Sequence, residues 1–304
     1  MSIRFDNRVA IVTGAGNGLG RCHALGLAER GAKVVVNDFG GARDGTGGSS
    51  EAADKVVAEI KALGGQAMAA ACSVTDEAGV KAMVDAAMNA WGRIDILINN
   101  AGILRDKTFT KMDVADFRTV LDVHLMGSVI CTKAVWDIMR AQNYGRIVLT
   151  SSSSGLYGNF GQANYGAAKM AMVGLMNVLS QEGQKNDLRV NTLAPTAATR
   201  MTEELLPPAA LALMQPELIT PGVLYLVSED APNRCILGAG AGAFARAYVY
   251  ETDGVYIDAP TPEKVAAQFD AISNPAGQEA LPGAFAQTTK FVGKAAKAKG
   301  VKLG

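Results

Sequence analysis

The chain has 304 residues, 49% of them apolar and 19% charged, and its 29 basic and 29 acidic residues give no net charge. This length can bury one large core, and the absence of a basic excess argues against a nucleic-acid partner. The four cysteines are scattered and there are only two histidines, which argues against disulfides and a metal site. The sequence has no apolar run of about 20 residues and no signal-peptide core. We therefore predict a soluble cytoplasmic protein without membrane contact.

Short β-branched runs alternate with longer helical segments. The predicted strands are Val9–Thr13, Lys33–Asp38, Gln66–Ala71, Arg93–Asn99, Gly145–Ser151 and Leu188–Leu193. The predicted helices are Leu19–Arg30, Ser50–Leu63, Asp76–Trp91 and Val114–Gln142. Strands that are apolar on both faces and separated by helices indicate a parallel sheet covered on both sides. We therefore predict an α/β fold, a single doubly wound, Rossmann-type parallel sheet with helices on both faces.

Two segments interrupt this alternation. Residues 39–50 contain five glycines in twelve positions, which predicts a loop. After residue 230 the composition changes to a Gly-Ala-Gly run, a β-rich stretch, a short helix and a lysine-rich end typical of a solvated tail. We divide the chain into a dinucleotide-binding catalytic domain, residues 1–230, and a C-terminal extension, residues 231–304, packed on the same domain.

A glycine-rich turn, TGAGNGLG, links the first strand to the first helix. It contains Gly14, Asn17, Gly18, Leu19 and Gly20. Glycines let the backbone approach a pyrophosphate, and the N-terminus of the helix offers it free N–H groups. On its own such a run can be only a tight turn, but its place between a strand and a helix indicates dinucleotide binding.

Asp38 ends the second predicted strand. A carboxylate at this place can bind the ribose hydroxyls of the adenosine and repel a 2′-phosphate. The alternative is an ordinary aspartate at the end of a strand. The first interpretation predicts NAD as the cofactor.

Tyr165 and Lys169 lie four residues apart, on one face of a predicted helix. A cation about 4–6 Å from a tyrosine lowers its pKa from about 10 and makes it a better proton donor and acceptor. Ser152 follows a strand thirteen residues upstream of Tyr165, in a serine run that could also be only a polar loop. In a parallel sheet the carboxyl ends of the strands converge on the ligand crevice, so these side chains can meet there.

The order and spacing of these motifs resemble the short-chain dehydrogenase/reductase family over about residues 5–230. The motifs are the glycine run, Asn99–Gly102, Ser152, Tyr165 and Lys169. The segments VVVNDFGG, DVHLMG and GLYGNFGQANY and the long tail are similar to the (3R)-hydroxyacyl-CoA dehydrogenase unit of peroxisomal multifunctional enzymes of type 2. Because the chain ends in VKLG, we expect it to lack a C-terminal peroxisomal address.

The resemblance implies roles for the site residues. Tyr165 would exchange a proton with the substrate oxygen, Lys169 would lower the pKa of Tyr165 and bind the nicotinamide ribose, and Ser152 would hydrogen-bond the reacting oxygen. Residues 199–214 would form a substrate lid. Besides the glycine run and Asp38, the implied cofactor contacts are Ser73, Val74, Asn100, Ala101, Gly102 and Thr199. Many relatives have an acid where this chain has Ser73, so the adenine contact departs from the family pattern.

His124 stands where most members of the family have asparagine. In one interpretation its imidazole joins a proton relay and adds an ionisation to the pH–rate profile. In the other, which we favour, the side chain only packs, and the backbone carbonyl holds the relay water that the family implies.

These features predict an NAD-dependent oxidoreductase that interconverts a secondary alcohol and a ketone, with (3R)-3-hydroxyacyl-CoA as substrate and a homodimer as the assembly. Three basic residues, Arg105, Lys107 and Lys111, could face the CoA phosphates or could simply be solvated. Alternatives are a hydroxysteroid dehydrogenase, an NADPH-dependent 3-oxoacyl-carrier-protein reductase and a non-catalytic nucleotide sensor.

Overall fold

The structure is a computed structural model that describes residues 2–42, 44–197 and 207–303. Its strands are β1 Val9–Thr13, β2 Lys33–Asn37, β3 Gln66–Ala70, β4 Ile96–Asn99, β5 Gly145–Thr150, β6 Leu188–Thr196, β7 Ile236–Gly240 and β8 Ala243–Ala247. They form one sheet in the order β3-β2-β1-β4-β5-β6-β7-β8, and each neighbouring pair from β3 to β7 is parallel. The predicted doubly wound parallel sheet is confirmed.

The helices of the first compact unit, Met1–Arg246, alternate with these strands. They are α1 Gly18–Glu29, α2 Glu51–Ala62, α3 Glu77–Trp91, α4 Val114–Leu121, α5 Gly127–Gln142, α6 Ser153–Tyr157, α7 Ala163–Glu182, α8 Pro208–Leu213 and α9 Thr220–Leu226. Short 3₁₀ turns lie at Phe109–Lys111, Gln184–Asn186 and Pro216–Leu218. In residues 2–42, 44–197 and 207–303, no helix is long and apolar enough to cross a membrane.

The second compact unit, Ala247–Gly304, contains α10 Pro262–Ala267, α11 Phe269–Ile272 and α12 Ala284–Lys299. Inside this unit, Lys290 on α12 forms an ion pair with Glu251 at 3.0 Å. The first unit ends at Arg246, sixteen residues beyond the predicted boundary at residue 230, because β7 and β8 continue the sheet. The packing of the extension on the catalytic domain stays a prediction.

The predicted helix Val114–Gln142 is interrupted. The segment Asp122–Met126 between α4 and α5 is a π-helical turn. A π turn widens the helix by one residue and is frequently found at functional sites. Residue 124 is thereby carried to a buried position beside the carboxyl ends of the strands, and its contacts are described below.

The central strands explain the position of the core and of the site. Every residue of β1, β4 and β5 is buried, because helices cover both faces of the sheet. The register pairs Val12 with Ile98 and Asn99 with Leu149. The three strands therefore end at the same edge, and the segments that follow them lie side by side.

A cluster of charged and aromatic side chains lies at the amino ends of the central strands. The ring of Tyr144 lies between the guanidinium carbons of Arg8, at 3.6 Å, and Arg146, at 4.1 Å. Arg146 is fully buried and donates hydrogen bonds to the carbonyl oxygens of Ser228 (3.0 Å) and Asp187 (2.7 Å). Its donors are satisfied by the protein itself, so the cluster is a structural feature.

Candidate active site

The glycine run forms the turn between β1 and α1. Gly14 has a φ of +61° and Gly18 a φ of +51°, which favour glycine over residues with a Cβ. A Cβ on Gly14 would lie 2.7 Å from the Cα of Ala101. Asn17 precedes α1 without a side-chain cap, and the first turn of α1 has no acidic residue. The turn therefore presents backbone N–H groups and a positive helix end, which suit a pyrophosphate.

Asp38 follows β2 and lies beside this turn. Its Oδ2 accepts a hydrogen bond from the N–H of Gly16 at 2.7 Å, and its Oδ1 accepts one from the N–H of Gly40 at 2.7 Å. These two bonds fix the carboxylate against the turn. Its position matches the place where a dinucleotide fold binds an adenosine ribose.

Thr13, which the sequence analysis did not single out, connects the segment after β4 to the glycine turn. Its Oγ1 accepts hydrogen bonds from the N–H groups of Asn100 (3.0 Å) and Ala101 (3.1 Å). The Nδ2 of Asn100 donates to the carbonyl oxygens of Thr13 (3.1 Å) and Gly14 (3.0 Å). Asn100 and Ala101 are thus held beside the proposed phosphate turn.

The residues expected near the adenine differ in burial. Val74 is buried, and a Cβ on Gly127 at the start of α5 would lie 2.5 Å from its Cγ2. Ser73 forms a hydrogen bond with Thr75 (Oγ to Oγ1, 2.8 Å) in its own turn. Thr199 lies outside the described residues, as do positions 199–206 of the lid predicted over residues 199–214.

Ser152, Tyr165 and Lys169 come together after β5 and on α7. The hydroxyl of Ser152 lies near enough to that of Tyr165 to lower the pKa of the tyrosine, and the Nζ of Lys169 lies 5.5 Å from the centre of the Tyr165 ring. Lys169 is buried and its Nζ donates to the carbonyl oxygen of Thr150 at 2.7 Å. Two groups that can transfer or share a proton therefore adjoin a buried amine.

The pKa values in this cluster are set mainly by burial. Burial raises the pKa of Tyr165 to about 12; the nearby hydroxyl of Ser152 opposes this rise and the charge of Asp106 adds to it. Burial lowers the pKa of Lys169 to about 7. The sequence analysis expected Lys169 to lower the pKa of Tyr165. In the protein chain alone desolvation dominates and raises the pKa of Tyr165. The lowering of this pKa by Lys169 stays a prediction.

His124 lies edge-on to Tyr165, with ring centres 5.2 Å apart. Its Nε2 lies 2.8 Å from the carbonyl oxygen of Ile103 and 3.1 Å from the backbone nitrogen of the same residue, so the ring contacts this backbone in either tautomer. Within the described part of the chain, this buried Nδ1 has no hydrogen-bond partner. Burial, and secondarily the charge of Lys169, lower the pKa of His124 well below its usual value. The imidazole is therefore neutral and supports the backbone at Ile103.

The basic residues considered for CoA phosphates are partly neutralised. Arg105 and Lys107 both form ion pairs with Asp116 at 2.9 Å, and Lys107 also pairs with Asp113 at 3.3 Å. This arrangement favours the interpretation of Arg105 and Lys107 as ordinary charges of the protein surface. Within residues 2–42, 44–197 and 207–303, no group of three His, Cys, Asp or Glu side chains is placed to hold a metal ion.

Known proteins resemble the chain along most of its length. The profile of the family described as short chain dehydrogenase matches residues 8–209. Peroxisomal multifunctional enzyme A of Dictyostelium discoideum is 50% identical over 279 residues, which are 90% of this chain and 63% of that enzyme. The chain thus spans less than two thirds of the length of this relative.

Two solved structures share the fold. Full-length peroxisomal multifunctional enzyme type 2 from Drosophila melanogaster matches with a TM-score of 0.81 and 37% identity, over 97% of this chain and 50% of that one. A 7α-hydroxysteroid dehydrogenase in complex with NADH and 7-oxoglycochenodeoxycholic acid matches with a TM-score of 0.71 and 31% identity, over 79% of this chain and 95% of that one.

Proposed function

The chain belongs to the short-chain dehydrogenase family, and we propose that it is an NAD-dependent oxidoreductase that interconverts (3R)-3-hydroxyacyl-CoA and 3-oxoacyl-CoA. The observation that carries the proposal is the meeting of Ser152, Tyr165 and Lys169 beside a glycine turn. The turn suits a dinucleotide, and the three side chains suit proton exchange with an alcohol or ketone oxygen.

The residues present fit a nicotinamide dinucleotide. The turn packs so closely on the segment after β4 that a Cβ on Gly14 would lie 2.7 Å from the Cα of Ala101, and the first turn of α1 leaves its N–H groups open for an anion. Asp38 would hold the adenosine ribose, while Lys169 and the segment Asn100–Gly102 would lie toward the nicotinamide end. When bound, a nicotinamide group supplies the hydride chemistry.

The chain itself supplies proton transfer and orientation. Tyr165 is the group proposed to exchange a proton with the substrate oxygen, and Ser152 is proposed to hydrogen-bond the same oxygen. Lys169 is proposed to stabilise the phenolate of Tyr165 once the cofactor and substrate are bound. Because the pKa of Tyr165 is about 12 in the chain alone, the bound ligands must stabilise the phenolate for catalysis at neutral pH.

NAD, as opposed to NADP, is favoured by Asp38. Its carboxylate lies against the glycine turn, where it would repel a 2′-phosphate. The related 7α-hydroxysteroid dehydrogenase holds NADH, which supports a nicotinamide cofactor for this chain. Preference for NADPH would instead support a 3-oxoacyl-carrier-protein reductase.

The acyl-CoA substrate is proposed from the multifunctional-enzyme relatives, which the chain matches over only part of their length. A hydroxysteroid substrate is the second candidate, since a steroid dehydrogenase shares the fold. The deciding experiment follows NADH formation with both enantiomers of a 3-hydroxyacyl-CoA series and with a panel of steroid alcohols. We expect turnover of the 3R acyl-CoA. Preference for the 3S form or for steroids would contradict the proposal.

We also propose that the protein acts as a homodimer in the cytoplasm. Apolar side chains that remain exposed on α7, Met170 at 41% and Val178 at 52%, offer a surface for a second copy. The relatives are named as peroxisomal, so the location needs its own test. Light scattering of the purified chain tests the dimer, and cell fractionation tests the location.

A further inference from the structure

Three hydrogen bonds join the segment after β4 to the start of α7, the helix that carries Tyr165. The N–H of Lys107 donates to the carbonyl oxygen of Gly161 at 3.0 Å. The Nε2 of Gln162 donates to the Oδ2 of Asp106 at 2.6 Å. The third bond is made by Asn164, whose Nδ2 donates to the carbonyl oxygen of Arg105 at 3.0 Å.

Asn164 is the most deeply buried of the side chains that make these bonds. Its side chain is fully buried, at 0% exposure, and both ends of its amide are bonded. Besides the bond to Arg105, its Oδ1 accepts a hydrogen bond from the backbone N–H of Tyr165 at 2.7 Å. An amide donates only through nitrogen and accepts only through oxygen, so these two partners fix its orientation.

The segment that Asn164 holds is also held from its other side. Two residues before Arg105, the backbone of Ile103 contacts the Nε2 of His124 through its carbonyl oxygen, at 2.8 Å, and its N–H, at 3.1 Å. His124 in turn lies edge-on to the ring of Tyr165. Residues 103–105 are therefore fixed between two side chains, and each of these contacts Tyr165, one at its ring and one at its backbone.

We propose that Asn164 is a positioning residue for proton transfer, which sets Tyr165 relative to residues 100–105 and so to the bound cofactor and substrate. The inference rests on the proposed function, because it concerns the same tyrosine. Reacting groups must lie within a few tenths of an ångström of their productive geometry, and a misplacement of about 1 Å can cost about 100-fold in rate. A single buried amide that joins the two segments supplies such control.

Two variants separate the bonds of Asn164. Asn164→Ala removes both. Asn164→Asp keeps the size and the acceptor for Tyr165 but sets an oxygen against the carbonyl of Arg105. For both we expect kcat with NAD and (3R)-3-hydroxydecanoyl-CoA to fall about 10-fold or more, while the Kd for NADH, measured by fluorescence, changes by less than about threefold. In Asn164→Ala the loss should persist at every pH, since no charge has changed.

The controls distinguish this role from a purely structural one. Asn177→Ala changes the same residue type on the same helix, where the Oδ1 accepts from Arg234, and should leave kcat unchanged. A kcat within about twofold of the parent in either Asn164 variant would overturn the proposal. So would a joint loss of NADH affinity and Tm, or failure of both variants to fold. If Tyr165→Phe also keeps its turnover, the proposed function itself fails; if only the Asn164 variants keep it, this inference alone fails.

Discussion

At the scale of single residues, the proposed chemistry depends on the hydroxyl group of Tyr165. Tyr165→Phe keeps the ring but removes the proton that is exchanged, so we expect kcat to fall about 100-fold or more with the Kd for NAD unchanged. Steady-state rates and NAD titration measure both. Tyr157→Phe is the matched control, because Tyr157 is 77% exposed on α6. Near-normal turnover of Tyr165→Phe would remove this residue from the mechanism.

Asp38 provides a second test at this scale. We expect Asp38→Ala to narrow the preference for NAD over NADP by about 10-fold, equivalent to about 1.4 kcal/mol, because the repulsion of the 2′-phosphate is lost. The ratio of kcat/KM values for the two cofactors is the correct measure, since the side chain also binds the N–H groups of Gly16 and Gly40. Asp54→Ala, on the exposed side of α2, controls for loss of charge. Equal use of both cofactors by the parent would contradict the role of Asp38.

At the scale of elements, the π turn between α4 and α5 determines what His124 can do. The turn buries the imidazole against Ile103, and its lowered pKa keeps it neutral. We therefore expect His124→Asn to retain activity within about threefold and to leave the shape of the pH–rate profile between about pH 6 and pH 9 unchanged. His23→Asn, at the other buried histidine, controls for removal of an imidazole from the interior. Loss of an ionisation in His124→Asn alone would place the imidazole in the relay.

The sequence predicts the sheet and the glycine turn better than the connections around the site. Strands such as β1 are apolar throughout and bounded by turn residues, so their identity is encoded locally. The position of the π turn is not encoded locally in this way, because an apolar helical pattern does not show where the helix widens. The roles of Thr13 and Asn164 were also missed, since each depends on a partner more than fifty residues away. The pKa of Tyr165 depends on burial, which spacing alone cannot give.

At the scale of the whole molecule, the buried amine of Lys169 affects stability. Its pKa falls from 10.5 to about 7 on folding. Between these values the unfolded chain binds more protons than the folded one, so the contribution of Lys169 to stability rises with pH. Relative to Lys169→Met, we expect the unfolding free energy of the parent to increase by up to about 1.4 kcal/mol per pH unit over this range.

Urea unfolding of both proteins at several pH values measures this difference. Lys133→Met, which replaces an exposed lysine on α5, should show no such trend. A constant difference between the parent and Lys169→Met from about pH 7 to about pH 10 would show that the amine is solvated in the folded protein.

The contact between Gly102 and His124 restricts the order in which this site can change during evolution. A Cβ on residue 102 would overlap the Cε1 of His124 and lie 2.9 Å from its Nδ1. A lineage with histidine at position 124 therefore cannot accept alanine at 102 unless the ring shifts, whereas a smaller side chain at 124 would make room for it. The two positions are expected to be epistatic, so that each substitution changes the fitness of the other and one order of replacement is blocked.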